Sequence, residues 1–495
     1  MARSVSDSFV SLPSSDVIIV GGGPAGCALA ARLSEDAGCT VCLVEAGPDY
    51  GPRSAGRWPV ELLDPTSIPE SHDWRDGDGS LPWARVIGGC SAHNACAVTR
   101  GPAEDYDRWQ TAGGPAWGWE ALEPCMHRAR EALGAVARET PDVGSWHAAV
   151  LDAAVEAGLP HLADHDDERV GVGVAPTNVV NGARNNAAFA YLDAARARPN
   201  LTVLGETLVD RVLLRDRDRA TGVAVHGPDG KGTIHGGSIV LAAGAYGSPA
   251  VLLRSGIGPE AELRTHEIQP LHVLHGVGRG LADHCRAGIG FGLREEAAAL
   301  LAADSDERAI MAQCIAKWAS SRSDGPWDMH FLAIVPPDRA TARITAGLIA
   351  PRSRGAVGLQ SSDPARLPRV DHGFLSDEDG HDLAALAEGI AFMRAMGETN
   401  ALSAVVTGEI DPGSGVDAAA HARAAVTTYY HPSGTCRLGP ADDPNAVVGS
   451  DAALHGLENV RVADASIVPE PVRAGTHLTA LAVAERVAEL LRVKA

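Results

Sequence analysis

Three histidines sit where a side chain can be aimed. His431 lies in YYHPSGTCRLG, where Pro432 and Gly434 make a rigid turn that fixes the direction of its imidazole. His477, in RAGTHLTALAVAER, stands at the mouth of the last helical stretch. His93 lies inside GGCSAHN, residues 88–94, directly before Asn94. Histidine has an unperturbed pKa of about 6.5, so it is suited to moving a proton near neutrality. Two imidazoles at element ends suit a shared pocket, one taking a proton and the other donating to the charge left behind. Each alone is equally at home as a structural histidine. A glycine turn needs no imidazole, so His93 is either incidental or touches whatever the turn holds.

The elements that position these residues begin with SDVIIVGGGPAGCALAARLSED. Val17–Val20 is a run of β-branched residues and predicts a buried strand. Gly21, Gly23 and Gly26 follow, then an alanine-rich helix to about Asp36, then a second strand, TVCLVEAG, ending on Glu45. This is a βαβ unit carrying G-x-G-x-x-G, with its carboxylate 19 positions past Gly26. The first glycine serves the tight turn, the second lets pyrophosphate approach the backbone, and the third lets helix and strand pack closely. The helix N-terminus supplies N–H groups to the phosphates, and Glu45 can accept from the adenosine ribose. The fingerprint means a dinucleotide and does not choose between NAD and FAD.

Length and patterning organise the remainder. A chain of 495 residues exceeds what one hydrophobic core usually supports, so two joined domains are expected. RPNLTVLGETLVDRVLL and ATGVAVHG alternate like strands, and residues 237–259 repeat strand, glycine turn and helix. Residues 100–140 are helical in texture, and 291–430 change character. That stretch holds EEAAALLAADSDERAIMAQ (295–313), and it predicts strands around Met329–Val335 and Ile344–Ile349 and a helix near Asp382–Met396. The tail returns to strand, turn and helix, so the cofactor domain is discontinuous. The expectation is an α/β (α+β) protein. A Rossmann-like FAD-binding domain takes residues 14–145, 197–290 and 431–495, and a substrate-binding domain of antiparallel sheet plus helices takes 146–196 and 291–430.

The net charge of −21 opposes nucleic acid and anionic membranes as partners. No stretch has the apolar length of a membrane span, and the N-terminus has no apolar signal core, so a cytoplasmic location is expected. Nine cysteines lack disulfide-like spacing. Cys39 and Cys42 form a CxxC, but in a strand their side chains face opposite ways, so no metal site is expected there.

GGGPAGCALAARL with VEAGPD, RVIGGCSAHN followed by RG, GAYGSPAVLLRSGIGP, VGRGLADH, HPSGTCRLG and VADASIVP occur in one order along almost the whole chain. In this the sequence resembles the glucose–methanol–choline (GMC) flavoprotein oxidoreductases, and choline oxidase-like members most. The resemblance implies FAD, a fold like p-hydroxybenzoate hydroxylase, and oxidation of an alcohol to an aldehyde or ketone by hydride transfer to flavin N5. It implies that His431 removes the hydroxyl proton and that His477 partners the alkoxide. It assigns cofactor contacts to Val86, Gly89, Asn94, Ala97, Val209, Asp464, Ala465 and Thr479, beside Gly21, Gly23, Gly26 and Glu45. His93 stands where most relatives have isoleucine and where choline oxidases bond a histidine covalently to FAD.

Trp58 and Tyr430 match positions of a cation-binding pocket, and aromatic faces attract quaternary ammonium by about 0.5–2 kcal/mol each. The pocket carboxylate has no clear match; Glu295, Glu296 and Glu307 are candidates, and Tyr429 replaces a small residue near the flavin. The expected partners are a small alcohol, then oxygen or a redox carrier as acceptor. A homodimer is expected, as in many relatives. The rival reading is an FAD-containing lyase of the hydroxynitrile type, with the same histidines and no net redox.

Overall fold

The apolar run after Ser15 is buried from Val17 to Val20 and forms the strand Ser15–Val20. In the computed structural model, which describes residues 10–11, 14–77, 79–137, 142–215, 218–304, 310–334 and 341–493, this strand lies inside a parallel sheet. It pairs with Val41–Val44 on one side and with the second half of Gly230–Leu241 on the other. Leu201–Leu204 extends the sheet beyond Val41–Val44, and Leu457–Val462 extends it beyond Gly230–Leu241. Strands covered on both faces need near-continuous apolar sequence, which IIV, VCLV and IVL supply. The first half of Gly230–Leu241 departs as an antiparallel meander with Arg219–Gly227 and Leu208–Arg215.

Helix Pro24–Leu33 packs against the C-terminal helix Thr476–Val493, which also packs on Trp119–Leu133. Buried Glu485 ties these pieces together. It accepts from Arg32 at 2.9 Å, from Arg128 at 3.2 Å and from the Tyr191 hydroxyl at 3.0 Å. The last helix, and with it His477, is thereby anchored to the nucleotide-type unit 450 residues away in sequence.

A second sheet is antiparallel throughout. Its order is Val406–Asp411, Cys285–Leu293, Thr341–Leu348, Met329–Ile334, Cys314–Trp318 and Gly171–Val174. One face is apolar (Cys285, Ala287, Ile289, Phe291, Met329, Phe331, Ile344, Ala346) and packs under His381–Gly397 and Ser145–Glu156. Gly389 allows the close approach: a Cβ there would stand 2.7 Å from the Met329 methyl.

Two expectations change. The strand Cys285–Leu293 runs across the expected boundary at 290, because Cys285, Ala287, Ile289 and Phe291 form one continuous buried stripe. Residues 187–195 pack in the first core rather than the second, through Tyr191 and its neighbours. Within 295–313 a helix runs over Glu295–Ala303, and 305–309 lie outside the described residues, as does Val335. Among the described residues no helix is long and apolar enough to cross a membrane.

Candidate active site

The glycine turn divides its work between packing and space. Gly21 has φ +103°, and a Cβ on it would lie 2.6 Å from the Ala242 carbonyl oxygen. A Cβ on Gly26 would collide with the Gly21 carbonyl. At Gly23 the nearest atom is the Gly89 Cα at 4.0 Å, so the backbone there is open. Gly23 caps helix Pro24–Leu33 without any side-chain bond, and the first turn carries no acid, so its N–H groups face the opening unneutralised. The second turn lies on the first. Gly88 N–H donates to the Gly22 carbonyl at 2.7 Å, and a Cβ on Gly89 would reach within 2.5 Å of Gly23 Cα. Glu45 follows the strand end; its oxygens accept from Gly22 N–H (2.7 Å) and Gly47 N–H (2.8 Å). Burial pushes its carboxyl up to about 7 against the pull of those donors.

Other expected contacts are committed internally to different degrees. The Asp464 carboxylate accepts from Gly244 N–H, the Ser248 hydroxyl and Ser466 N–H, so it fixes two element starts and leaves the backbone of Asp464–Ala465 to face outward contacts. The Thr479 hydroxyl lies 3.2 Å from the Tyr106 hydroxyl. Val209 is buried in the meander, and its carbonyl accepts from Arg254 at 3.4 Å. Val86 is buried beside the second turn, and Ala97 bridges to Thr177.

The two C-terminal histidines are each held by a partner at Nδ1. The backbone N–H of His431 donates to Asp283 Oδ1 at 2.9 Å, and Asp283 Oδ2 accepts from the Thr428 hydroxyl at 2.6 Å. His431 Nδ1 meets His284 Nδ1 at 2.9 Å, so one of the two must carry the proton. With His284 Nδ1 as the acceptor of the pair, His431 Nδ1 is the donor. His431 Nε2 then keeps a free lone pair. It lies 3.5 Å from where a Cβ of Gly475 would stand, two residues before His477. His477 is the mirror case. The Asn94 amide is held by Cys96 N–H donating to its Oδ1, so its Nδ2 donates to His477 Nδ1 at 3.3 Å. The His477 proton therefore sits on Nε2, which is buried without a hydrogen-bond partner. Burial lowers both rings to about 4, so both are neutral at pH 7. His431 Nε2 thus lies against the segment that carries His477, and Asn94 ties His477 to the second glycine turn.

The GMC oxidoreductase N-terminal model matches residues 15–286 and the C-terminal model residues 351–484. The chain belongs to the GMC oxidoreductase family. It is 31% identical to an alcohol dehydrogenase [acceptor] of Pseudomonas putida, over 96% of this chain and 95% of the relative. It is 32% identical to choline oxidase of Arthrobacter globiformis, over 96% and 94%. The structure superposes on pyridoxine 4-oxidase from Mesorbium loti with a TM-score of 0.86 at 28% identity, covering 97% of this chain and 99% of that one. This GMC protein is an FAD-dependent oxidoreductase acting on alcohols. The residues fit FAD: the open backbone at Gly23 accommodates pyrophosphate, and the unpartnered His477 Nε2 awaits a group that no side chain supplies.

His93 sits at the end of the second turn, buried, with Nδ1 3.3 Å from Asp73 Oδ1. Burial disfavours its cation, yet Asp73 and Cys90 outweigh burial and raise it to about 9. Cys90 is exposed, and His93 beside it brings that thiol below its ordinary value.

The two rings expected of a cation pocket lie in different surroundings. Trp58 is a core side chain: its Nε1 donates to the Gly51 carbonyl and its ring packs on Tyr50 and Phe189. Tyr430 has φ +67°, is 45% exposed and lies against Arg286. The ring that reaches His431 is Tyr429, 4.7 Å between centroids. Glu295 and Glu296 are exposed at a helix start, and Glu307 lies outside the described residues. Asp283 and His284 were absent from the expected site, although both end the VGRGLADH motif that carried the resemblance.

Proposed function

We propose that the protein oxidises a primary or secondary alcohol to the aldehyde or ketone, with His431 as base and His477 as alkoxide partner. The observation that supports this is the pair of ring contacts: His431 Nδ1 on His284 and His477 Nδ1 on Asn94, which leave both Nε2 atoms unspent, one as a lone pair and the other as a donor in this reading. The substrate hydroxyl donates to His431 Nε2, and the proton passes there as the C–H bond weakens. The oxygen, gaining charge, accepts from His477 Nε2–H at the N-terminal end of helix Thr476–Val493, whose dipole favours that charge. Bound FAD supplies the electron acceptor. His284 and Asp283 keep the base in register from behind, and Asn94 does so for the donor.

His93 we assign as the residue that holds FAD covalently, supported by its burial beside the glycine turn. Electrons leave to oxygen or to a redox carrier, and the assembly is a homodimer in the cytoplasm. The names of the relatives, an alcohol dehydrogenase, a choline oxidase and a pyridoxine 4-oxidase, support a small alcohol as substrate.

One experiment tests the reaction. An anaerobic panel of alcohols is mixed with the holoenzyme and flavin absorbance is followed, then air is readmitted. Bleaching by an alcohol, lost in His431→Ala with FAD still bound, is the expected result. A flavin that stays yellow with every alcohol, while cyanohydrins are cleaved, would establish the lyase instead.

A further inference from the structure

Lysine is rare in this chain: Lys231, Lys317 and Lys494 are the only three among 42 cationic side chains. Lys317 stands in the strand Cys314–Trp318 and is 2% exposed. It points away from the apolar face of the second sheet, since Cys314, Ala316 and Trp318 pack on that side. In register it is opposite His330, and His330 is opposite Gly347. The three positions make one row across the sheet. Tyr429 covers Gly347, its ring 3.1 Å from where a Cβ would stand, and the same ring meets His431. The row therefore runs from Lys317 to the edge of the proposed base. Lys317 and Gly347 are two strand spacings apart, about 10 Å.

The polar groups at the far end of this row are short of partners. His330 Nε2 and both ring nitrogens of His165 are buried without a hydrogen bond. Lys317 Nζ donates to the carbonyls of His165 (2.7 Å) and Asp167, which uses two of its three protons. It also lies 4.5 Å over the Trp327 ring, whose Nε1 donates to the Arg473 carbonyl, four residues before His477. Among the described residues no carboxylate makes an ion pair with Lys317, although Asp166, Asp167 and Asp164 are near enough to favour its charge; Asp166 Oδ2 is held by Arg130 while its Oδ1 has no partner, and Asp167 is held by Arg169. His330 is close enough to Lys317, His165, His284 and His431 that, after burial itself, each disfavours its cation. Three unpaired ring nitrogens are costly to leave bare, about 1–3 kcal/mol for each group, and Lys317 keeps one N–H to give.

We propose that Lys317, His330 and His165 form the far wall of the substrate pocket and bind an anionic acceptor, a carboxylate or phenolate, on the alcohol. The inference rests on the reading of His431 given above. A molecule with one aromatic ring between its hydroxymethyl group and its anion spans the row. Lys317 supplies charge and a free N–H, and each imidazole supplies one N–H. A quaternary ammonium head meets a like charge here, with neither the carboxylate nor the aromatic cage it needs.

The test compares benzyl alcohol, 4-(hydroxymethyl)benzoate and choline as anaerobic reductants of the holoenzyme's flavin. In parallel, benzoate binding is read by perturbation of the flavin spectrum. The carboxylated alcohol is expected to bind at least about tenfold more tightly than benzyl alcohol, the effect of one charge-assisted contact. Choline is expected to reduce least. Lys317→Met should remove that preference and weaken benzoate binding by a similar factor, whereas Lys231→Met, an exposed change of the same charge, should keep both. His330→Asn serves the same purpose should Lys317→Met not fold. Equal affinity for the charged and neutral alcohols, or a preference that survives at Lys317 and His330, overturns the proposal. Should no alcohol bleach the flavin, the base assignment fails by itself. Benzoate binding sensitive to Lys317 would then still uphold the anion wall, and its absence would sink it.

Discussion

His284 Nδ1 lies 2.9 Å from His431 Nδ1, ring to ring, with His284 fully buried. The contact is more than packing, because two facing Nδ1 atoms share one proton and so decide which nitrogen of His431 is basic. A glutamine or asparagine could have held the ring, but an amide turns over to offer either a donor or an acceptor. A neutral imidazole that carries its proton on Nε2 can only accept at Nδ1.

His284→Ala should leave FAD bound and lower the limiting rate of flavin reduction by about 10–100-fold, the usual cost of releasing an orienting partner. The pH profile separates orientation from simple damage. Burial holds His431 near 4, so the wild-type rate should stay level from pH 8 to 5 and fall as pH drops through about 4, where Nε2 gains a proton. The alanine variant admits water behind the ring and should move that acid limb upward toward 6.5. Stopped-flow reduction across pH measures both. An unmoved limb would mean that His284 merely fills space.

Covalent attachment of FAD at His93 needs the neutral imidazole, because a protonated ring has no lone pair at the attacking nitrogen. With His93 raised to about 9, the neutral fraction grows roughly tenfold per pH unit below that value. Apoprotein reconstituted with FAD should gain acid-stable yellow colour slowly at pH 7, faster at pH 8, and level off above 9. Asp73→Asn removes the charge 3.3 Å from Nδ1 and should bring the levelling point down. Flavin fluorescence of the denatured chain reads the outcome. Cys90→Ala tests whether the neighbouring thiol takes any share of the bond, and complete release of flavin at every pH removes the assignment.

Stability should fall on the acid side for a related reason. His147, His431 and His477 are held near 4 by burial, whereas an unfolded chain titrates them near 6.5. Between those values the unfolded state binds more protons, so stability drops as pH falls from 6.5 toward 4 and is unaffected by these groups above 6.5. Thermal unfolding of the apoprotein between pH 7.5 and 5 should show a falling midpoint. His147→Gln, remote from the proposed chemistry, should flatten part of that slope.

The parallel half of the fold was legible because local signals coincide there. Strand, glycine turn, helix and carboxylate fall within residues 15–45, and each agrees with its neighbours. The second sheet was legible as a class but not in its limits, since the stripe through Cys285 and Phe291 crosses a boundary that composition alone suggested. Site residues on short glycine and proline turns could be named from their motifs. Those acting from behind could not: the meeting of His284 with His431 spans 147 positions, and Lys317 in CIAKW differs from an exposed strand lysine only by what lies opposite. Trp58 and Tyr430 misled because type and approximate position say nothing of which way a ring turns.

Glu485 shows how the second turn of chemistry depends on distant anchoring. It is 2% exposed and accepts from Arg32, Arg128 and Tyr191, joining the last helix to the first one. Glu485→Ala would leave two guanidinium groups and a buried hydroxyl without their shared acceptor. Breaking a buried pair from one side typically costs about 3–5 kcal/mol. The Arg32 and Arg128 side chains are part-exposed at 27% and 35%, so water recovers some of that and the lower end is expected. Urea unfolding should report the loss as an earlier midpoint. Because helix Thr476–Val493 begins at His477, the same variant should also loosen the Asn94–His477 contact and slow flavin reduction, while Glu485→Gln, which keeps one acceptor oxygen, should recover most of the rate before it recovers the stability. Rate and stability lost in the same proportion in both variants would argue against a link from this anchor to the donor at His477.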